Sequence, residues 1–147
     1  AGQFLIGSMA LDGRRGQEVL YRLENDRSVT ELDTDLSLSN GLCWSPDGTD
    51  FYSIDTTAGR VWVRDYDPAS GLTGGRREFL QLPDGSPDGR CADAAGNLWI
   101  AIWGAGEVRC YSPAGAHVAT VVVPVPHTTS VAFIGPRLDT LLITTAR

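Results

Sequence analysis

The chain has 147 residues, is 42% hydrophobic and carries a formal net charge of −6. That length is enough to bury a core and fits one ordinary domain. No apolar run approaches the roughly 20 residues that span a bilayer, and the acidic balance argues against nucleic acid, whose phosphates want a basic face.

Helical periodicity is absent. Seventeen Gly and eight Pro break the sequence every few residues. The runs between them are short and rich in Val, Ile, Trp, Tyr and Thr, which is the pattern of many short strands. In chain order, strands are predicted at 3–10, 19–23, 28–32, 41–44, 51–55, 61–66, 77–82, 89–93, 98–103, 108–111, 117–123, 130–134 and 140–145. Turns are predicted at Pro46-Asp47-Gly48, Asp67-Pro68-Ala69-Ser70-Gly71 and Pro113-Ala114-Gly115. The run Leu98-Trp99-Ile100-Ala101-Ile102-Trp103 is apolar on both faces. Strands buried on both faces fit sheets stacked face to face better than a sandwich with a wet outer side.

An internal repeat organises these strands. Asn40/Asp88, Gly41/Gly89, Cys43/Cys91 and Gly48/Gly96 each pair at an offset of 48 residues. Small indels then shift the register, and Gly59/Gly106, Val61/Val108, Tyr66/Tyr111 and Pro68/Pro113 still match. A third copy opens at Thr129-Ser130-Val131. A period of about 40–50 residues with four short strands per unit reads as the blades of a β-propeller. The fold expected is all-β: one partial propeller over 1–147, about three blade equivalents, cut inside a blade at both ends. Gly2 aligns with Gly48 and Gly96, so the chain should enter after an innermost strand and leave after a second one. It then reads as roughly half of a ring. Blade faces such as those carrying Val61 and Ile100 would lie uncovered in an isolated half. Self-association, or pairing with a missing half, is expected.

Equivalent blade positions return to one end of the central channel. Asn40 and Asp88 should therefore approach one another, and two oxygen donors at a channel mouth suggest a hard cation. The bland reading is that Asn-Gly and Asp-Gly are common turn dipeptides, as Asp47-Gly48 and Asp84-Gly85 are taken to be. Cys43, Cys91 and Cys110 have no CxxC spacing and read as buried free thiols of a reducing cytoplasm. Arg14-Arg15 and Arg76-Arg77 read as solvated loop charges. Asp55, Asp65 and Asp93 read as strand-end hydrogen-bond partners, and the tryptophans as packing between blades. No G-x-S-x-G elbow is present, which disfavours a serine hydrolase.

The motifs Gly7-Ser8-Met9-Ala10, Ser39-Asn40-Gly41-Leu42-Cys43-Trp44-Ser45, Asp65-Tyr66-Asp67, Pro87-Asp88-Gly89-Arg90-Cys91-Ala92-Asp93, Gly96-Asn97-Leu98-Trp99-Ile100-Ala101 and Thr128-Thr129-Ser130 stand in one order across nearly the whole chain. In that order and spacing the chain resembles the gluconolactonase, regucalcin and senescence-marker-protein family of six-bladed propellers. The resemblance implies a hydrolase that opens sugar lactones with one divalent cation, whether Ca, Zn, Mg or Mn. It carries metal-ligand roles to Asn40 and Asp88, with a glutamate outside this chain as third ligand. Asp88 is also the candidate base. Asp12 is the nearest match to an acidic substrate-facing residue. Thr129, at the repeat position of Asp88 in the next blade, and Trp103, which Gly104 follows into a loop, are further substrate-binding candidates. The competing reading is a propeller scaffold that holds a partner or a calcium ion without turnover.

Overall fold

The structure, a computed structural model, describes residues 3–147. Gly2, used above to align the chain start, lies outside the described residues. Among those residues all regular structure is strand, in thirteen segments joined antiparallel. The first sheet holds β1 (Phe4–Gly7), β2 (Glu18–Leu23) and β3 (Val29–Leu36). Two four-stranded meanders follow. One is β4 (Ser39–Trp44), β5 (Asp50–Asp55), β6 (Arg60–Asp65) and β7 (Arg77–Gln81); the other is β8 (Ser86–Ala92), β9 (Leu98–Trp103), β10 (Glu107–Tyr111) and β11 (His117–Val122). A two-stranded sheet of β12 (Thr128–Ile134) and β13 (Thr140–Thr145) ends the chain. These are two complete propeller blades flanked by two partial ones, and β4 packs on β8 as β8 packs on β12.

Several boundaries differ from the sequence reading; β1, read as 3–10, ends at Gly7. β3 runs on to Leu36 through Asp-Thr-Asp, a stretch that looks like loop. Its Asp33 is buried and paired with Arg64 and Arg76, which offsets part of the desolvation cost of the carboxylate. The innermost strands β4, β8 and β12 begin two or three residues early. The Asn-Gly and Asp-Gly pairs thus lie inside strands, and no hairpin turn forms there.

Apolar burial explains the stacking. Tyr52, Ile54, Val61 and Val63 of the first complete blade pack with Leu98, Ile100, Ile102 and Tyr111 of the second. Leu20, Leu36 and Phe51 form a second cluster, under Trp44, Trp62 and Tyr66, between the first sheet and its neighbour. Val61 and Ile100 are therefore fully buried, which corrects the expectation that they face outward. Uncovered apolar groups lie on the end sheets, Phe4, Ile6, Leu23 and Val29 on the first and Ile134 and Leu142 on the last, and also along the outer strand β11 at Val118 and Val122. Arg76 is likewise no loose loop charge; it pairs with Asp33 and Asp35 and lies 4.5 Å from the Trp62 ring centre. The three cysteines are free, Cys43 and Cys110 are buried, and burial pushes the half-buried Cys91 thiol up to about 11.

Arg90 breaks the apolar pattern. It stands on β8 where the equivalent residues of β4 and β12 are Leu42 and Val131. Its guanidinium lies 5.4 Å from the Tyr52 ring centre, and none of its three nitrogens has a protein hydrogen-bond partner. Removing a charge from water without a partner costs several kcal/mol. Arg90→Leu is expected to stabilise the fold by about 1–3 kcal/mol. Urea unfolding checks this; a loss of stability would mean that the guanidinium is satisfied.

Candidate active site

The site grows from one backbone irregularity used three times. On β4 the pairing slips between Asn40, opposite Ile54, and Cys43, opposite Tyr52. On β8 it slips between Pro87, opposite Ile102, and Arg90, opposite Ile100. On β12 it slips between Thr128, opposite Thr145, and Ser130, opposite Thr144. A bulge adds one residue and re-aims a side chain. Asn40, Asp88 and Thr129 sit at these three bulges.

The glycine after each of the first two motif residues lets the next blade close in. A Cβ on Gly41 would stand 2.4 Å from the Asp88 carbonyl oxygen, and Gly41 has φ 34. A Cβ on Gly89 would stand 2.3 Å from Ser130 Oγ and 2.7 Å from the Thr129 carbonyl oxygen. Neither position has room for a side chain, so the motif residues of successive blades are held side by side.

Asn40 and Asp88 line one cavity of about 530 Å³ together with Met9, Arg15, Thr56 and Trp103. Its walls are fixed by Asp55, which is only 4% exposed. That carboxylate accepts hydrogen bonds from the backbone N–H groups of Ser37 (3.0 Å), Leu38 (3.2 Å) and Ala58 (3.3 Å). The Thr56 hydroxyl donates to the Pro87 carbonyl at 2.7 Å and ties this wall to β8. Trp103, 37% exposed, stacks on His127 at 4.4 Å and 11° between planes.

The Asp88 carboxyl is pushed up from its ordinary range by burial, against hydrogen bonding from the Asn40 side chain and the Gly89 N–H. No salt bridge reaches it among the described residues, unlike most acids of this chain. The Asn40 amide thus donates its N–H to the half-buried carboxylate while its oxygen accepts from the Gly41 N–H at 3.2 Å; a carboxylate and an asparagine amide without a protein cation make a donor set that suits a hard ion. These two oxygens are not a full coordination sphere, and the described residues hold no cluster of three His, Cys, Asp or Glu.

The SMP-30/gluconolactonase/LRE-like family model matches residues 1–147. The chain belongs to that family. Members of the family similar to it include pentonolactonase XacC of Haloferax volcanii, 38% identical over 99% of this chain and 50% of that protein. Regucalcin of Xenopus laevis is 38% identical, again over 99% of this chain and 51% of its own length. The crystal structure of a calcium-binding protein, regucalcin from Agrobacterium tumefaciens, superposes with a TM-score of 0.92 at 38% identity, covering 99% of this chain and 50% of that one. A gluconolactonase from Xanthomonas campestris superposes with a TM-score of 0.73 at 28% identity, over 88% of this chain and 42% of that one. The chain thus spans about half the length of the curated relatives it matches, and it is a partial β-propeller of a lactonase family.

Of the five residues singled out by sequence, the fold brings Asn40, Asp88 and Trp103 to this family member's cavity. Asp12 is elsewhere: it sits on the exposed loop after β1 and accepts hydrogen bonds from Arg14, from the backbone N–H at 3.2 Å and from Nε at 3.0 Å. Thr129 sits at the bulge of β12, the repeat position of Asp88, yet its hydroxyl is engaged with that of Thr144 at 2.7 Å and it does not line the cavity. Three residues were missed: Arg15, Thr56 and His127. Arg15 had a signal, since Gly13 and Gly16 bracket it just past the Gly7-Ser8-Met9 stretch. Asp55 and Asp93 are hydrogen-bond hubs as expected; Asp93 takes N–H groups from Ala95, Asn97 and Trp99.

Two outcomes follow from this geometry. Gly41→Ala is expected to cost about 1–3 kcal/mol, because a methyl there overpacks the β4–β8 contact; thermal unfolding measures it, and an unchanged midpoint would refute the close approach. Without divalent ions, Asp88→Asn is expected to unfold at higher temperature than wild type at pH 7. The sign follows from the raised carboxyl: stability from its neutral form is present below the unfolded value and lost as pH rises through the folded one. The gap should close on acidification towards pH 4, as followed by calorimetry.

Proposed function

We propose that this chain forms the part of a ring that opens sugar lactones with the help of one divalent cation. The observation that carries the reading is the meeting of Asn40 and Asp88, 48 residues apart in sequence, in one cavity on a lactonase-family scaffold. Asn40 would present its amide oxygen and Asp88 its carboxylate to the ion, with a further acidic ligand from sequence beyond this chain. When bound, such an ion acts as a Lewis acid on the ester carbonyl and acidifies water.

The chain's own residues have three tasks. Asp88 takes the proton from the attacking water, a role that suits a carboxylate whose proton affinity is already raised by burial. The water oxygen bonds to the acyl carbon, the bond from acyl carbon to ring oxygen breaks, and the proton ends on that oxygen as a hydroxyl. Trp103, backed by His127, offers an aromatic face for the C–H side of a sugar ring. Asn40 holds the carboxylate in place through its amide group. The calcium-binding regucalcin structure supports a second reading, in which the ion is held without turnover.

The test uses the ring-complete protein that carries this chain. Asp88→Ala is expected to abolish lactone hydrolysis, a loss of at least about 10³-fold, since ligand charge and base go together. Asn40→Ala is expected to weaken divalent-ion affinity with little change in unfolding temperature. Lactone titration at constant pH and ion-binding calorimetry measure the two. An Asp88→Ala protein with normal turnover would overturn the reading. A wild type that binds the ion and turns over no lactone would establish the scaffold instead.

A further inference from the structure

We infer that Arg15 is a specificity residue that selects sugar lactones bearing an extra negative charge; this rests on the lactonase reading above. Arg15, an exposed residue, is the one arginine among the residues lining the cavity, and Asp88 the one acidic residue. Its neighbour Arg14 is neutralised by Asp12 at 2.8 Å. Arg15 has no acidic partner among the described residues, although most arginines of the chain do.

The loop that carries it is held in place. Gly13 and Gly16 bracket it with φ 75 and φ 69. The Asp12 carboxylate closes the turn through the Arg14 N–H at 3.2 Å. The Gly16 N–H donates to Ser37 Oγ at 3.2 Å, and the Ser37 N–H donates to the Asp55 carboxylate at 3.0 Å. The same buried Asp55 that fixes the cavity walls thus fixes the root of this loop. A guanidinium presented this way matches a carboxylate or a phosphate with two parallel N–H groups. The charge count agrees: a divalent ion and Arg15 against Asp88 and one further acidic ligand leave the cavity positive. A neutral lactone would leave the guanidinium without a counter-charge in the cavity. A lactone with a carboxylate or phosphate away from its ester would supply one. Hydrolysis then proceeds as above and yields a product with one more negative charge.

The experiment compares turnover of gluconolactone (neutral), glucarolactone (carboxylate) and 6-phosphogluconolactone (phosphate) by wild type, Arg15→Gln and Arg15→Lys, each in the ring-complete protein. Wild type is expected to prefer one charged lactone. In Arg15→Gln, kcat/KM for that lactone should fall about 10- to 100-fold more than for gluconolactone, mostly through KM. Arg15→Lys should keep part of the preference, and which charged lactone responds identifies the group read. An equal loss on all three lactones would place Arg15 at the shared ester and overturn the inference, as would no loss at all. If wild type turns over none of them, the lactonase reading fails by itself. Calorimetry with glucarate, 6-phosphogluconate and gluconate then decides on Arg15: a preference for an added charge that Arg15→Gln loses supports it, and equal affinities in both proteins refute it.

Discussion

The structure depends on how closely successive innermost strands approach. A residue with a Cβ at position 41 or 89 would collide with the next blade, at the Asp88 carbonyl or at the Thr129 carbonyl and the Ser130 side chain. Glycine at these positions therefore sets the spacing between blades as well as the local turn of the chain. The same contact builds the site, because the residue before each glycine is carried into the cavity by the bulge. Fold and chemistry share one constraint here, so a change that loosens the stack also separates Asn40 from Asp88.

Around that seam the chain uses charge sparingly and specifically. All twelve basic residues are arginine. Several act as clamps between elements: Arg64 and Arg76 fasten the first complete blade to β3 through Asp33, and Arg22 reaches the Gly71 carbonyl at 2.7 Å. Planar guanidinium groups suit such buried or stacked positions better than an ammonium does. Against this pattern the arginines without acidic partners stand out. Arg90 is buried where an apolar residue would serve, and Arg15 is among the residues that line the cavity.

Much of the fold was legible in the sequence, and the reason is period. Gly/Pro punctuation and apolar runs gave thirteen strands, and the 48-residue offset gave the blades. The bulges were not legible, because Asn-Gly and Asp-Gly carry the same local signal in a hairpin turn and in a bulged inner strand; only the repeat favoured the second. Asp33 was missed as a strand residue because its partners Arg64 and Arg76 are distant in sequence. The site divided in the same way. Asn40 and Asp88 were readable because blade equivalence brings equal positions together. Arg15 and Asp12 lie on a loop that the repeat does not control, and there the local hydrogen bond between Asp12 and Arg14 decided which side chain is free.

The two-oxygen character of the site has a thermodynamic consequence. A hard divalent ion takes about six to eight oxygens, and Asn40 with Asp88 would supply two of them. On the proposed reading, the missing ligand lies across the channel, in blades that this chain does not contain. Ion binding and ring closure then draw on the same contacts. Each blade that docks brings the acidic ligand near, and each bound ion favours the docked state over the open one by mass action. The raised proton affinity of Asp88 fits that arrangement: burial holds the carboxylate at a cost, and a cation beside it would offset that cost.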